Sequence, residues 1–189
     1  MFSMLSKQEA LRLLHEHVSE AKKIKHMMAV SAIMKGLAKR LHMNEDEWEL
    51  AGLLHDLDFD MTVAKNEIDK HGLITSKMLE GKLPKESLHA IQTHDLRVGA
   101  KPETFMDKAL IASDCLWYLI VRTSIATSNR NISQLKVNML KGNFRDKSFP
   151  KHFKKGIMMC KEVNLTPEEL FRIALKSLPQ DLSIDKSDR

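Results

Sequence analysis

The stretch Ala51-Gly52-Leu53-Leu54-His55-Asp56-Leu57 sets an imidazole and a carboxylate inside an otherwise apolar run. Ala109-Leu110-Ile111-Ala112-Ser113-Asp114-Cys115-Leu116-Trp117 does the same with a second carboxylate. An ionised carboxylate in an apolar core is costly unless it is neutralised, paired or metal-bound. Two of them with histidines nearby favour a metal. A donor set of imidazoles and carboxylates without thiolate suits a divalent transition metal (iron, manganese, zinc, cobalt or nickel, with magnesium as the alternative) and argues against a purely structural zinc. Taken singly, each residue has a plainer reading, since a lone buried Asp usually caps or pairs and a lone helix His is usually a satisfied structural residue. The weight rests on their order along the chain.

Outward from these two runs, most of the sequence repeats at helical period, and strand-like alternation is nearly absent, which predicts an all-α fold. Ser6 opens a first helix to about Lys23, and a second runs from near His26 to His42 with Ala29, Val30, Ile33, Leu37, Ala38 and Leu41 on one face. Asn44 caps a third, Glu45 to about Leu57, whose acidic first turn suits a helix N-terminus. A loop over about 58–67 follows, then a helix capped by Asp69 to Leu79, one over Lys85 to His94, and a long apolar one from about Glu103 to Ala126. Further helices over 130–178 include one starting at Thr166-Pro167-Glu168-Glu169.

The chain has 189 residues, 43% of them hydrophobic, enough for one substantial core and short for two domains. The expected layout is a single-domain bundle: 1–130 a helical core with the metal site, 131–180 C-terminal helices packed on that core, and 181–189 a fraying tail. No signal-peptide core is visible. The apolar run Ala109 to Val121 falls short of the roughly 20 residues of a membrane span. Two cysteines without CxxC spacing fit a reducing cytoplasm. The net charge of +5 is local: residues 136–155 hold seven Lys or Arg against Asp146 alone, leaving about −1 elsewhere. Such a patch suits a phosphate-bearing partner or is a solvated face.

His26, then His55-Asp56 at a helix end, then Asp114 resembles the H…HD…D pattern of the HD superfamily over about residues 20–125. The resemblance implies an all-helical, metal-dependent phosphohydrolase in which His26, His55, Asp56 and Asp114 hold a divalent metal. His71 in Lys70-His71-Gly72 and His94 in Ala90-Ile91-Gln92-Thr93-His94-Asp95 resemble the additional ligands of dinuclear members, which implies Asp56 bridging two ions. The single-domain layout and these segments look most like small HDIG-type hydrolases, and the nearest are similar to YqeK-type diadenosine tetraphosphate hydrolases. Leu57-Asp58-Phe59-Asp60 departs from the continuation seen in better-understood branches.

The implied chemistry is hydrolysis of a phosphoester or phosphoanhydride of a small phosphorylated substrate, nucleotides first among them, by metal-activated water. No Walker loop, nucleophile elbow or dinucleotide fingerprint competes with it. Asp58 and Asp60 are expected at the mouth of the site, where a carboxylate, Asp58 first, could orient water or bind substrate through a second cation, or could simply cap the loop. Arg97, ahead of Lys65, Lys70 and Lys101, is the candidate phosphate binder. His15, His17, His42, His89 and His152 read as surface residues. Two alternatives stand beside the hydrolase. One is a di-iron oxygenase. The other is a nucleic-acid or nucleotide-binding module using Lys147, Lys151, Lys154 and Lys155, with Phe144, Phe149 and Phe153 either stacking on bases or anchoring a helix.

Overall fold

The computed structural model describes residues 4–127 and 130–184. Among them are ten α-helices and no strand: α1 (Lys7–His17), α2 (Ala21–Leu41), α3 (Glu45–Leu54), α4 (Phe59–Ala64), α5 (Leu73–Met78), α6 (Lys85–Thr93), α7 (Phe105–Ala126), α8 (Val137–Arg145), α9 (Lys151–Met158) and α10 (Pro167–Ser177). The chain is all-α. Local chemistry fixes several of the starts. Ser6 and Glu9 form a capping box on α1, the Asn44 side chain accepts from the Asp46 and Glu47 amides on α3, and Thr166 with Glu169 boxes α10 behind Pro167.

Five readings differ from expectation. The second helix begins at Ala21, more than a turn ahead of the expected start near His26. The first helix stops at His17, because Val18 turns into extended conformation and buries its side chain; no Gly or Pro marks the break. The region 58–67 holds the short helix α4. Asp69 caps nothing: it lies in a 3-10 turn, Ile68–Lys70, after which the chain extends at His71 and restarts as α5. The tail is pinned as far as it is described. The Ile132 amide donates to Leu182 O at 3.1 Å, the Ile184 amide donates to Arg130 O at 2.9 Å, and Ile184 is buried. Residues 185–189 lie outside the described residues.

α7 is the axis of the molecule. It is long and apolar enough to cross a membrane, yet 72% of its most apolar stretch is buried inside the protein, so it serves as a core helix. α2, α6, α8 and α9 pack against it, and α10 lies against α2. Ile33, Leu37, Leu110, Ile111 and Ile120 are fully buried at these contacts. Each such side chain stabilises the fold by about 1.5–3 kcal/mol. α2 and α3 approach closely at Gly52, where an added Cβ would meet the Ser31 backbone at 2.9 Å. That contact lies one turn from His55.

Candidate metal centre

Five elements converge on one point. His26 projects from the second turn of α2, His55 and Asp56 follow the last turn of α3, His71 lies in the break before α5, His94 ends α6, and Asp114 sits near the middle of α7. All six sequence candidates for metal ligation meet here. His26 Nε2 lies 3.1 Å from His55 Nε2, 3.4 Å from Asp56 Oδ2 and 3.2 Å from Asp114 Oδ1. His71 Nε2 and His94 Nε2 lie 3.1 Å apart, and 3.0 and 3.2 Å from Asp56 Oδ1. Asp56 turns Oδ2 toward His26 and Oδ1 toward His71 and His94, with His55 Nε2 also 3.6 Å from Oδ1. Two groups of donors, His26–His55–Asp56 and Asp56–His71–His94, are each compact enough to hold a metal ion.

The outward nitrogens of three imidazoles are already held. Nδ1 of His55 bonds Gly52 O at 2.9 Å, Nδ1 of His94 bonds Ile91 O at 2.7 Å, and Nδ1 of His71 bonds Asp58 Oδ1 at 2.6 Å. A ligand histidine is normally fixed this way, its far nitrogen donating to a carbonyl or carboxylate so that Nε2 faces the ion. The donor set therefore fits a transition-metal centre on more than composition.

Asp58 is not at the mouth of the site. It is fully buried, its carboxylate accepts from the Thr75 amide at 2.8 Å and the Gly72 amide at 3.3 Å, and its role is to hold His71. Asp60 pairs with Lys23 on the outside. The Asp58–His71 pair had no signature in the sequence, because it depends on the chain extending at His71 where helical continuation was expected.

Without a metal, protons offset the carboxylates. Burial alone would depress the His26 imidazole, but Asp114 and Asp56 outweigh it and raise the pKa from the ordinary 6.5 to about 10. At His71, burial is likewise outweighed by Asp56 and Asp58, again giving about 10. His55, whose nearest carboxylate oxygens stand farther off at 3.6 and 3.9 Å, is pushed down to about 4 by burial. Burial opposes ionisation of Asp56, yet His55, His26, His71 and His94 hold its carboxyl well below the usual range. Asp114 is lowered chiefly by His26 against the cost of its burial.

The centre opens into a cavity of about 390 Å³, whose walls include Asp56, Asp114, Phe59, Arg97, His152, Phe153 and Lys155. Arg97 reaches it while chelated by Asp95, Nε at 2.9 Å and Nη2 at 2.6 Å. Lys65, Lys70 and Lys101 line no part of it. His152, read as a surface residue, is exposed but stands on this wall. Cys115 also faces the cavity, and burial pushes its thiol well up, so it stays protonated. Phe149 and Phe144 are spent on packing: Phe149 is buried, and Phe144 meets the Phe171 ring edge-on at 5.7 Å.

α9 brings Phe153 and Lys155 to the site because Gly156 lets it lie directly on α7. A Cβ there would fall 2.2 Å from Cys115 Sγ, next in sequence to Asp114. The sequence marked 136–155 as basic but gave no sign of where α9 would dock.

No curated protein and no solved structure matches the chain. A family model does: residues 24–114 match that of the HD domain, a segment that starts just before His26, ends on Asp114 and contains all six candidate ligands. By that match residues 24–114, a little under half of the chain, carry an HD domain.

Proposed function

We propose that the chain is a metal-dependent phosphohydrolase acting on a phosphoester or phosphoanhydride of a small phosphorylated substrate. His26, His55, Asp56 and Asp114 hold one divalent cation, and Asp56, His71 and His94 hold a second. The observation that carries this reading is the placing of the Asp56 carboxylate between His26 on one oxygen and the His71–His94 pair on the other, with the outward nitrogens of His55, His71 and His94 otherwise engaged. A divalent cation at such a centre acts as a Lewis acid toward a phosphoryl oxygen and lowers the pKa of water.

The chain's own residues supply the rest. Asp58 holds the His71 ring, and the Gly52 and Ile91 carbonyls hold those of His55 and His94. Arg97 and Lys155 put positive charge beside the cavity, where a phosphate would meet them. The domain itself extends through α8–α10, of which α8 and α9 pack on α7 and α10 on α2, and α9 completes the cavity wall. Asp56→Ala is the direct test. Metal retention and phosphatase turnover, screened over nucleotides and phosphate esters, are expected to disappear together; full turnover in that variant would refute the proposal.

A further inference from the structure

An ester oxygen leaves phosphorus as a strong base unless a proton meets it. On the wall of the 390 Å³ cavity the candidate metal ligands serve the cations, and Asp95 has no proton to give: burial opposes its ionisation, yet Arg97 holds its carboxyl below the usual carboxylate range. Among the described residues four other proton carriers line the cavity, Arg97, Cys115, His152 and Lys155. A guanidinium does not give up its proton in proteins. Burial pushes the Cys115 thiol well up, which makes it too weak an acid to serve. His152 and Lys155 are left, both exposed and three residues apart on α9, hence on one face of it.

Between these two the chemistry of the groups decides. Near neutrality an imidazolium donates a proton far more readily than an ammonium, and the imidazole it leaves behind is readily recharged. The His152 ring lies against that of Phe153, centroids 4.1 Å apart, and α9 is seated on α7 where Gly156 meets Cys115, the residue after Asp114. The imidazole is therefore carried on the cavity wall by a docked helix.

We infer that His152 is the general acid of the hydrolase, giving its proton to the ester oxygen that leaves phosphorus, while Arg97 and Lys155 face the phosphate. The bond from phosphorus to that oxygen breaks and its electron pair stays on the oxygen; the His152 proton joins it, and the group departs as an alcohol. The oxygen of water bonds to phosphorus, its released proton passes to solvent, and His152 recovers a proton from the solvent to which it is exposed. The inference rests on the hydrolase reading. His152 itself lies beyond the HD segment, on a helix that the family match does not reach.

The test uses the full chain, loaded with zinc for NMR and with manganese for turnover. Inorganic phosphate is expected to raise the pH at which the His152 ring titrates by about one unit, the effect of an anion beside an imidazolium, with His152→Gln identifying the resonance. Turnover compares phenyl phosphate with p-nitrophenyl phosphate, whose nitro group lets the ester oxygen leave without a proton. His152→Gln is expected to lose about 100-fold in kcat on the phenyl ester and less than about threefold on the nitrophenyl ester, with its metal content unchanged by elemental analysis. Equal losses on the two esters, or none on either, overturn the inference, as does a His152 resonance that phosphate does not move; each leaves the hydrolase reading standing. A moved resonance without turnover of these or of any nucleotide or phosphate ester sinks the hydrolase reading and the inference with it. Because the phosphate response is read on the wild-type chain, a poorly folded His152→Gln variant would not remove the test.

Discussion

The two halves of the proposed centre share Asp56 and are built by different means. His26 and Asp114 stand on the two longest helices, α2 and α7, and remain 18% and 27% exposed at their side chains. Their positions follow from helix packing spread over many residues, so no single contact sets them. His71 and His94 are almost fully buried and come from a chain break and a helix end, held by a few hydrogen bonds through Asp58 and the Ile91 carbonyl. A half set by distributed packing resists point changes outside its ligands, whereas a half set by a few buried bonds is removable by one.

Breaking both halves at once should have the largest effect. Asp56→Ala is expected to abolish retention of both ions and turnover, read by elemental analysis and a phosphatase assay on one sample. Asp58→Asn sharpens the contrast. It keeps the shape of the buried side chain but weakens the bond that fixes His71, and is expected to lower affinity at the His71–His94 half by about 10–100-fold, with the His26–Asp114 half unchanged. Metal titration would then show one tight and one weak site. Two equally weakened sites would mean that the halves are not independent.

A third change reaches neither set of ligands. Gly156→Ala forces a methyl group onto Cys115 Sγ and should cost about 1–3 kcal/mol in chemical denaturation, with part of the loss recovered in Gly156→Ala/Cys115→Ala.

Acidity gives a smoother test on the metal-free protein. For His26 and His71 the folded-state pKa is raised, so their stabilisation is present in full below 6.5 and is lost as the pH climbs through about 10. His55 behaves oppositely. Burial keeps it neutral in the fold, the unfolded chain takes up the proton first, and stability should fall as the pH drops from 6.5 to about 4. Because a bound cation displaces protons from His26 and His71, metal affinity should rise with pH across the neutral range. A melting temperature flat from pH 4 to 10 without metal would contradict these assignments.

The sequence exposed the six ligand candidates because an ionisable residue inside an apolar run is conspicuous, and their order matched a known pattern. Helices with side-chain N-caps were equally legible: Ser6, Asn44 and Thr166 each start a helix where expected. What stayed hidden depends on contacts between distant segments. Asp58 looked like a residue at the mouth of the site, since nothing local announces that the chain extends at His71 and returns that imidazole to it. Phe153 and Lys155 were noticed only as members of a basic, aromatic stretch, because docking of α9 depends on the absence of a side chain at Gly156. The tail, polar by composition, is pinned at Ile184 by backbone bonds that periodicity does not encode.

The central claim, one carboxylate shared between two metal-binding groups, is tested most directly by elemental mass spectrometry of the protein purified without chelators, alongside Asp56→Ala. The account predicts two divalent ions per chain in the wild-type protein and none in the variant. A wild-type protein that binds no metal even after supplementation, or an Asp56→Ala variant that keeps both ions, would contradict it.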